Sequence, residues 1–186
     1  MNDRRWFTPD IAPDYFPDVH RQVLSCRTPL TVMAAELAGS ISATVQHDDL
    51  HDGNVFAVVG RVSVLDWGDA VVSHPFCSLR VALDGLADRL AVQRSAPVLE
   101  AVTDAYLEVW ATGGTSRREL RAQLDLAVRV AGLSRAAGWA RALGSPEQGR
   151  ELGFSEAVAG WLTRLADDVL DHGAPATGGP PVGPLG

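Results

Sequence analysis

Lysine is absent from this chain: all 16 basic side chains are arginine, set against 23 acidic ones. The net charge of −7 excludes a surface built to neutralise nucleic-acid phosphates, which needs clustered cations. Cysteine is scarce too. Cys26 and Cys77 show neither a metal-ligand spacing nor a partner pattern, so both read as buried or idle thiols. No apolar run approaches the length of a membrane span, and the opening Met1-Asn2-Asp3-Arg4-Arg5 lacks the hydrophobic segment of a secretory signal. A cytoplasmic protein is expected. No glycines fall at the G-x-G-x-x-G spacing that cradles phosphates. What remains suits one soluble domain, with 186 residues of which 46% are hydrophobic, enough to bury a core.

Carboxylates, by contrast, are concentrated. His47, Asp48, Asp49, His51, Asp52 and Asn54 form a polar cluster, an apolar segment follows, and a second cluster closes it at Asp66-Trp67-Gly68-Asp69. Chains rarely gather that much desolvation cost without chemistry to justify it. Val55 to Val58 and Arg61 to Leu65 are rich in β-branched residues and Val59-Gly60 lies between them, so the segment reads as a β-hairpin. Asn54 and Asp66 are equidistant from Gly60. They are therefore expected to face each other across the open end, with side chains about 5 Å apart. Two oxygen donors there suit a hard cation such as Mg²⁺, which takes few protein ligands and fills its shell with water and phosphate.

His47-Asp48-Asp49, four residues and then Asn54 fit the kinase catalytic-loop spacing H-R-D-x-x-x-x-N, and Asp66-Trp67-Gly68 fits D-F-G. The wording HDDLHDGN followed by LDWGDA resembles more closely the aminoglycoside phosphotransferase and choline kinase-like family, whose usual form is HGDLHPGN with a later DWxxA. That resemblance implies ATP and Mg²⁺. It makes Asp49 the catalytic base, gives the metal to Asn54 and Asp66, has His47 orient the loop, and sets His51 near the transferred phosphate. Asp48 stands where the family has glycine and Asp52 where it has proline, adding negative charge near the nucleotide's phosphates.

The resemblance implies an α+β, mostly helical fold, the C-terminal lobe of a protein-kinase-like enzyme carrying the hairpin. Such an enzyme also needs an N-terminal lobe with a lysine on the phosphates. The chain has no lysine, and its motif begins at His47, too early for a preceding nucleotide lobe. The expectation is a truncated phosphotransferase, inactive alone, that pairs with a missing lobe or with a second copy of itself. Its acceptor would be a hydroxyl-bearing small molecule, an aminoglycoside or an amino alcohol. The rival reading is a catalytically inactive remnant acting as a binding module. A zinc reading of His47 and His51 as H-x-x-x-H needs a helix, which the turn signal Asp52-Gly53-Asn54 argues against.

Residues 1–172 read as the lobe and the Gly/Pro-rich 173–186 as a disordered tail, with 1–17 a proline-broken extended arm. Helices are expected over 18–39, interrupted near Thr28-Pro29, then over 76–90, 97–110 and 116–143, the third opened by a Ser116/Glu119 capping box, with a last one after Gly153. Thr44 to Gln46 reads as a short strand entering the polar loop. Trp139 and Trp161 read as packing residues.

Overall fold

A computed structural model describes residues 6, 18–111 and 114–170. The 173–186 tail and all of the 1–17 arm except Trp6 lie outside the described residues. The elements run α1 (Asp18–Ser25), α2 (Arg27–Ala38), β1 (Thr44–Gln46), β2 (Val55–Val58), β3 (Arg61–Val64), β4 (Val71–Ser73), α3 (Leu79–Leu90), α4 (Pro97–Glu108), α5 (Arg117–Leu143), α6 (Pro146–Glu151) and α7 (Ala157–Leu170). The expected α+β, mostly helical class is observed.

The longest helix is the axis of the packing. Ser116 opens α5 with the foreseen capping box: its hydroxyl accepts from the Glu119 amide while the Glu119 carboxylate accepts from the Ser116 amide at 2.7 Å. Ala136 and Leu143 of α5 join Val158, Leu162, Leu165 and Val169 of α7 in one core cluster, together with Trp6, Cys26 and Met33. Leu120, Leu124, Ala127 and Ala131 of α5 join Phe76, Leu83, Leu99 and Leu107 in a second. Gly132 permits the close crossing with α7, since a Cβ there would lie 3.3 Å from the Leu165 Cβ. The glycines that weaken α5 on propensity alone are thus absorbed by tertiary packing.

Three expectations need correction. The first break between helices falls at Cys26, because Pro29 has no N–H to give the Ser25 carbonyl; Pro29 sits instead in the first turn of α2. On α4, whose spacing predicts Val98, Leu99, Val102, Tyr106, Val109 and Trp110 inward, Leu99 is buried and Tyr106 and Trp110 pack against the core, but Val98, Val102 and Val109 are exposed and Thr103 and Leu107 take the other buried seats. The helix expected from Phe76 begins at Leu79, after a 3₁₀ turn over Pro75–Ser78.

Between α2 and α3 the chain forms a closed loop on a loop. β1 pairs antiparallel with β4, Thr44 opposite Ser73 and Gln46 opposite Val71, so the strand leading into the polar segment is zipped to the strand leaving it. Inside that closure β2 pairs with β3 around the Val59-Gly60 turn, with Gly60 at φ 73°, the left-handed region glycine enters freely. The hairpin boundaries agree with the sequence reading. Its register does not. Val55 faces Val64 and Val58 faces Arg61, which sets Asn54 opposite Leu65, whose amide donates to the Asn54 carbonyl at 2.9 Å. A two-residue turn centres the pairing between Val59 and Gly60, not on Gly60 itself, so Asp66 is one residue past its predicted position. The hairpin's apolar side chains Phe56, Val58, Val59 and Val62 are exposed.

Candidate active site

The 47–54 loop leaves β1 with His47 and Asp48 buried and Asp49 partly exposed. Asp48 adopts φ 63°, the left-handed conformation that favours glycine and that Asp tolerates better than most residues. The glycine of the family's usual wording is explained by that backbone. The side chain does not add charge at the site, as the sequence reading supposed. It turns inward, where Oδ1 accepts from the Ser134 hydroxyl at 2.6 Å and Oδ2 has no hydrogen-bond partner among the described residues, and burial lifts its carboxyl above the usual aspartate range. Asp52 is likewise answered within the chain, by Arg89 of α3.

His47 joins the two clusters. A carbonyl can only accept, so the 2.7 Å contact makes Nε2–H the donor to Leu65 O, and the ring packs against Trp67 with centroids 4.9 Å apart. Trp67 in turn donates its indole N–H to the Val64 carbonyl at 3.0 Å. Asn54 closes the unit from the other side, its Nδ2 donating to the Asp49 carbonyl at 3.1 Å. His51 turns back on its own loop, Nδ1 accepting from the Gly53 amide at 3.1 Å and capping the 3₁₀ turn Asp52–Asn54. His47, Asp49, Asn54 and, through its backbone, Leu65 next to Asp66 are therefore brought together, while His51 is held by local capping.

Asp66 leaves the hairpin at φ 58° and ψ 63° and is exposed. Neither its carboxylate nor the amide oxygen of Asn54 has a partner among the described residues. No group of three or more His, Cys, Asp or Glu able to hold a metal occurs among the described residues. The donor set fits Mg²⁺, whose remaining shell comes from water and phosphate, and it does not fit zinc, which is ordinarily held by three or four protein ligands.

Sequence reasoning missed the groups that hold this loop from below. Arg135 of α5 places Nη2 2.8 Å from Asp49 Oδ1 and donates from Nη1 to Asp69 Oδ2 at 3.1 Å. It is buried, with its guanidinium 5.8 Å from the Trp161 ring centroid. The signal existed: position 135 continues the i, i+4 series of buried Ala127 and Ala131, and an arginine on an apolar stripe needs a carboxylate partner.

No described helix is long and apolar enough to cross a membrane. A family model described as the phosphotransferase enzyme family matches residues 3–121, which contain both clusters and the hairpin. No curated protein and no solved structure matches the chain.

Proposed function

Since this chain belongs to the phosphotransferase enzyme family, we propose that it is a kinase-like C-terminal catalytic lobe whose chemistry is transfer of the γ-phosphate of ATP to a hydroxyl of a small molecule. One observation carries the reading. The hydrogen bonds from His47 to Leu65 O, from Leu65 N to Asn54 O and from Asn54 Nδ2 to Asp49 O tie base loop and metal loop into one unit. That unit leaves three oxygens without partners among the described residues: Asp49 Oδ2, the Asn54 amide oxygen and the Asp66 carboxylate. Asp49 Oδ2 takes the proton of the acceptor hydroxyl as that oxygen attacks the γ-phosphorus and the bond to the β-phosphate breaks, releasing ADP. Asn54 and Asp66 would hold Mg²⁺, which would supply charge stabilisation at the phosphates. His47 keeps the distance between the two loops fixed. His51 uses Nδ1 for its cap, which leaves Nε2 to face the transferred phosphate.

The acceptor follows from charge. Asp48, Asp49, Asp52 and Asp69 are answered by Ser134, Arg135 and Arg89. Of the clustered carboxylates only Asp66 lacks a partner among the described residues, and Mg²⁺ would claim it. Two guanidiniums face five carboxylates here, so the site is negative and suits a cationic, hydroxyl-bearing small molecule, an aminoglycoside or an amino alcohol.

The absence of lysine favours a second reading, a catalytically inactive remnant that folds and binds but transfers nothing. Phosphoryl transfer depends on positioning and on charge at the γ-phosphate, and this chain carries only part of that apparatus. Two measurements separate the readings. Mn²⁺ should broaden resonances around Asn54 and Asp66 in the full chain and spare Asp66→Asn, an exposed position whose left-handed backbone Asn accepts; equal broadening in both removes the metal site. A nucleotide-binding lobe from a related enzyme, supplied in trans, should produce Asp49-dependent phosphorylation of amino alcohols. A complex that forms but stays inert across such acceptors establishes the non-catalytic reading.

A further inference from the structure

A base on a loop is useful only if its carboxylate is held. Torsion about the last bond of Asp is broad, and a misplacement of about 1 Å can cost about a hundredfold in rate. The Asp49 side chain is 25% exposed and its own loop offers it no donor among the described residues, so its orientation is set from outside the loop.

That outside support is α5. Two consecutive residues of the helix grip two consecutive residues of the loop: the Ser134 hydroxyl donates to Asp48 Oδ1, and Arg135 Nη2 pairs with Asp49 Oδ1. The guanidinium is a rigid planar fork, and here its two Nη groups serve different carboxylates, Asp49 and Asp69. Its side chain is 5% exposed, a burial that costs several kcal/mol unless the charge is paired. Trp161 of α7 backs the group, and the same ring is approached by Arg80 at 5.8 Å. Residue 135 lies outside the segment 3–121 that matches the family. The grip is thus supplied by a part of the chain that the family likeness does not cover.

We propose that Arg135 is the positioning residue of this site: it fixes Asp49 by Oδ1 so that Oδ2 faces the acceptor, with Asp69 as second anchor and Trp161 as backstop. The proposal rests on the reading of Asp49 as base. An ion pair that merely joined α5 to the loop would need one carboxylate; the bridge to Asp69 prevents the fork from turning and so fixes Asp49's angle as well as its distance. Lysine cannot replace it, because one ammonium lacks the planar two-pronged geometry.

The test uses the full chain and needs no turnover for its first arm. In a guanidinium-selective nitrogen–proton spectrum, Arg135 should give distinct, slowly exchanging Nη signals. Asp49→Asn should move one of them and Asp69→Asn the other. In Arg135→Gln the Asn54 side-chain amide, which donates to the Asp49 carbonyl, should exchange at least about tenfold faster, while the Leu65 amide inside the hairpin stays unchanged. Arg135→Lys should not restore the slow exchange. Averaged Nη signals, or an Asp49→Asn spectrum with both signals unmoved, overturn the proposal. Should Arg135→Gln not fold, Asp69→Asn decides alone, since Asp69 is 39% exposed. With a nucleotide lobe supplied, Asp69→Asn should lower kcat about tenfold and leave the acceptor KM unchanged; a change in KM alone overturns positioning. If Asp49→Asn transfers phosphate at the wild-type rate, the base reading fails, and the Nη signals still decide whether the clamp exists.

Discussion

Two glycines in α5 offer a controlled experiment on what holds the site's scaffold. Gly132 and Gly138 are both buried, both interior to one 27-residue helix and six residues apart, so Gly→Ala carries the same conformational gain at each, about 1 kcal/mol. Their surroundings differ. A Cβ at 138 would find its nearest neighbours at 3.9 Å (Arg141 Nη2) and 4.0 Å (Asp69 Oδ1), ordinary contact. One at 132 would lie 3.3 Å from Leu165 Cβ, 3.6 Å from Trp161 O and 3.7 Å from Leu165 Cα, atoms that cannot retreat unless α7 moves as a body. Overpacking of that kind costs about 1–3 kcal/mol, which cancels or outweighs the helical gain. Gly138→Ala is therefore expected to stabilise by about 1 kcal/mol, and Gly132→Ala to be neutral or destabilising by up to about 2 kcal/mol. At about 2–4 °C per kcal/mol for a chain of this size, the two melting temperatures should differ by roughly 5 °C, and urea midpoints should give the same order. Equal stabilisation by both variants would refute the close crossing of α5 and α7 on which the position of Arg135 depends.

Two further outcomes follow from buried charge. Because burial raises the folded pKa of Asp48 above its unfolded value of about 3.9, the folded state holds the extra proton; Asp48 lowers stability as pH rises through its folded pKa and costs nothing below the unfolded one. Asp48→Asn, which keeps the acceptor for Ser134 and tolerates φ 63°, should raise the urea midpoint at pH 7, with the gain vanishing as pH falls towards 4; a gain independent of pH would locate the effect elsewhere. Arg80→Met should cost about 3 kcal/mol in thermal or urea unfolding, since it strips the cation from Asp168 on α7, a carboxyl lifted chiefly by burial, and leaves Asp84 with Arg94 alone. A loss below about 1 kcal/mol would show that the link between α3 and α7 contributes little.

The hairpin was legible because its signals are local: β-branched runs, a turn dipeptide, and polar clusters at both ends. The capping box at Ser116 was legible for the same reason. Facing errors arose where a one-residue shift changes everything, in the pairing of Asn54 with Leu65 and in the stripe of α4. Thr103 is the instructive case there. A polar residue took the buried seat, and the valines beside it faced outward, because neighbouring helices and not hydropathy decided which side of α4 to cover. The fate of the carboxylates was not legible at all. Asp48 and Asp49 are adjacent and chemically alike, yet one is buried on a hydroxyl and the other stays partly exposed on a guanidinium, and each partner lies 86 positions away in the sequence.

A helix is a ruler that cannot be re-marked. From the cap at Ser116 to the grip at Ser134 and Arg135, α5 has no irregularity in which an added or lost residue could be absorbed. Each residue turns the helix by about 100°, so one insertion there would swing the guanidinium about a quarter of a turn away from the two aspartates, with every side chain still present. Substitutions can drift along α5's outer face while its length stays frozen. In the descent of such proteins, the spacing between the Ser116 cap and this arginine should have been guarded more strictly than most of the residues that fill it.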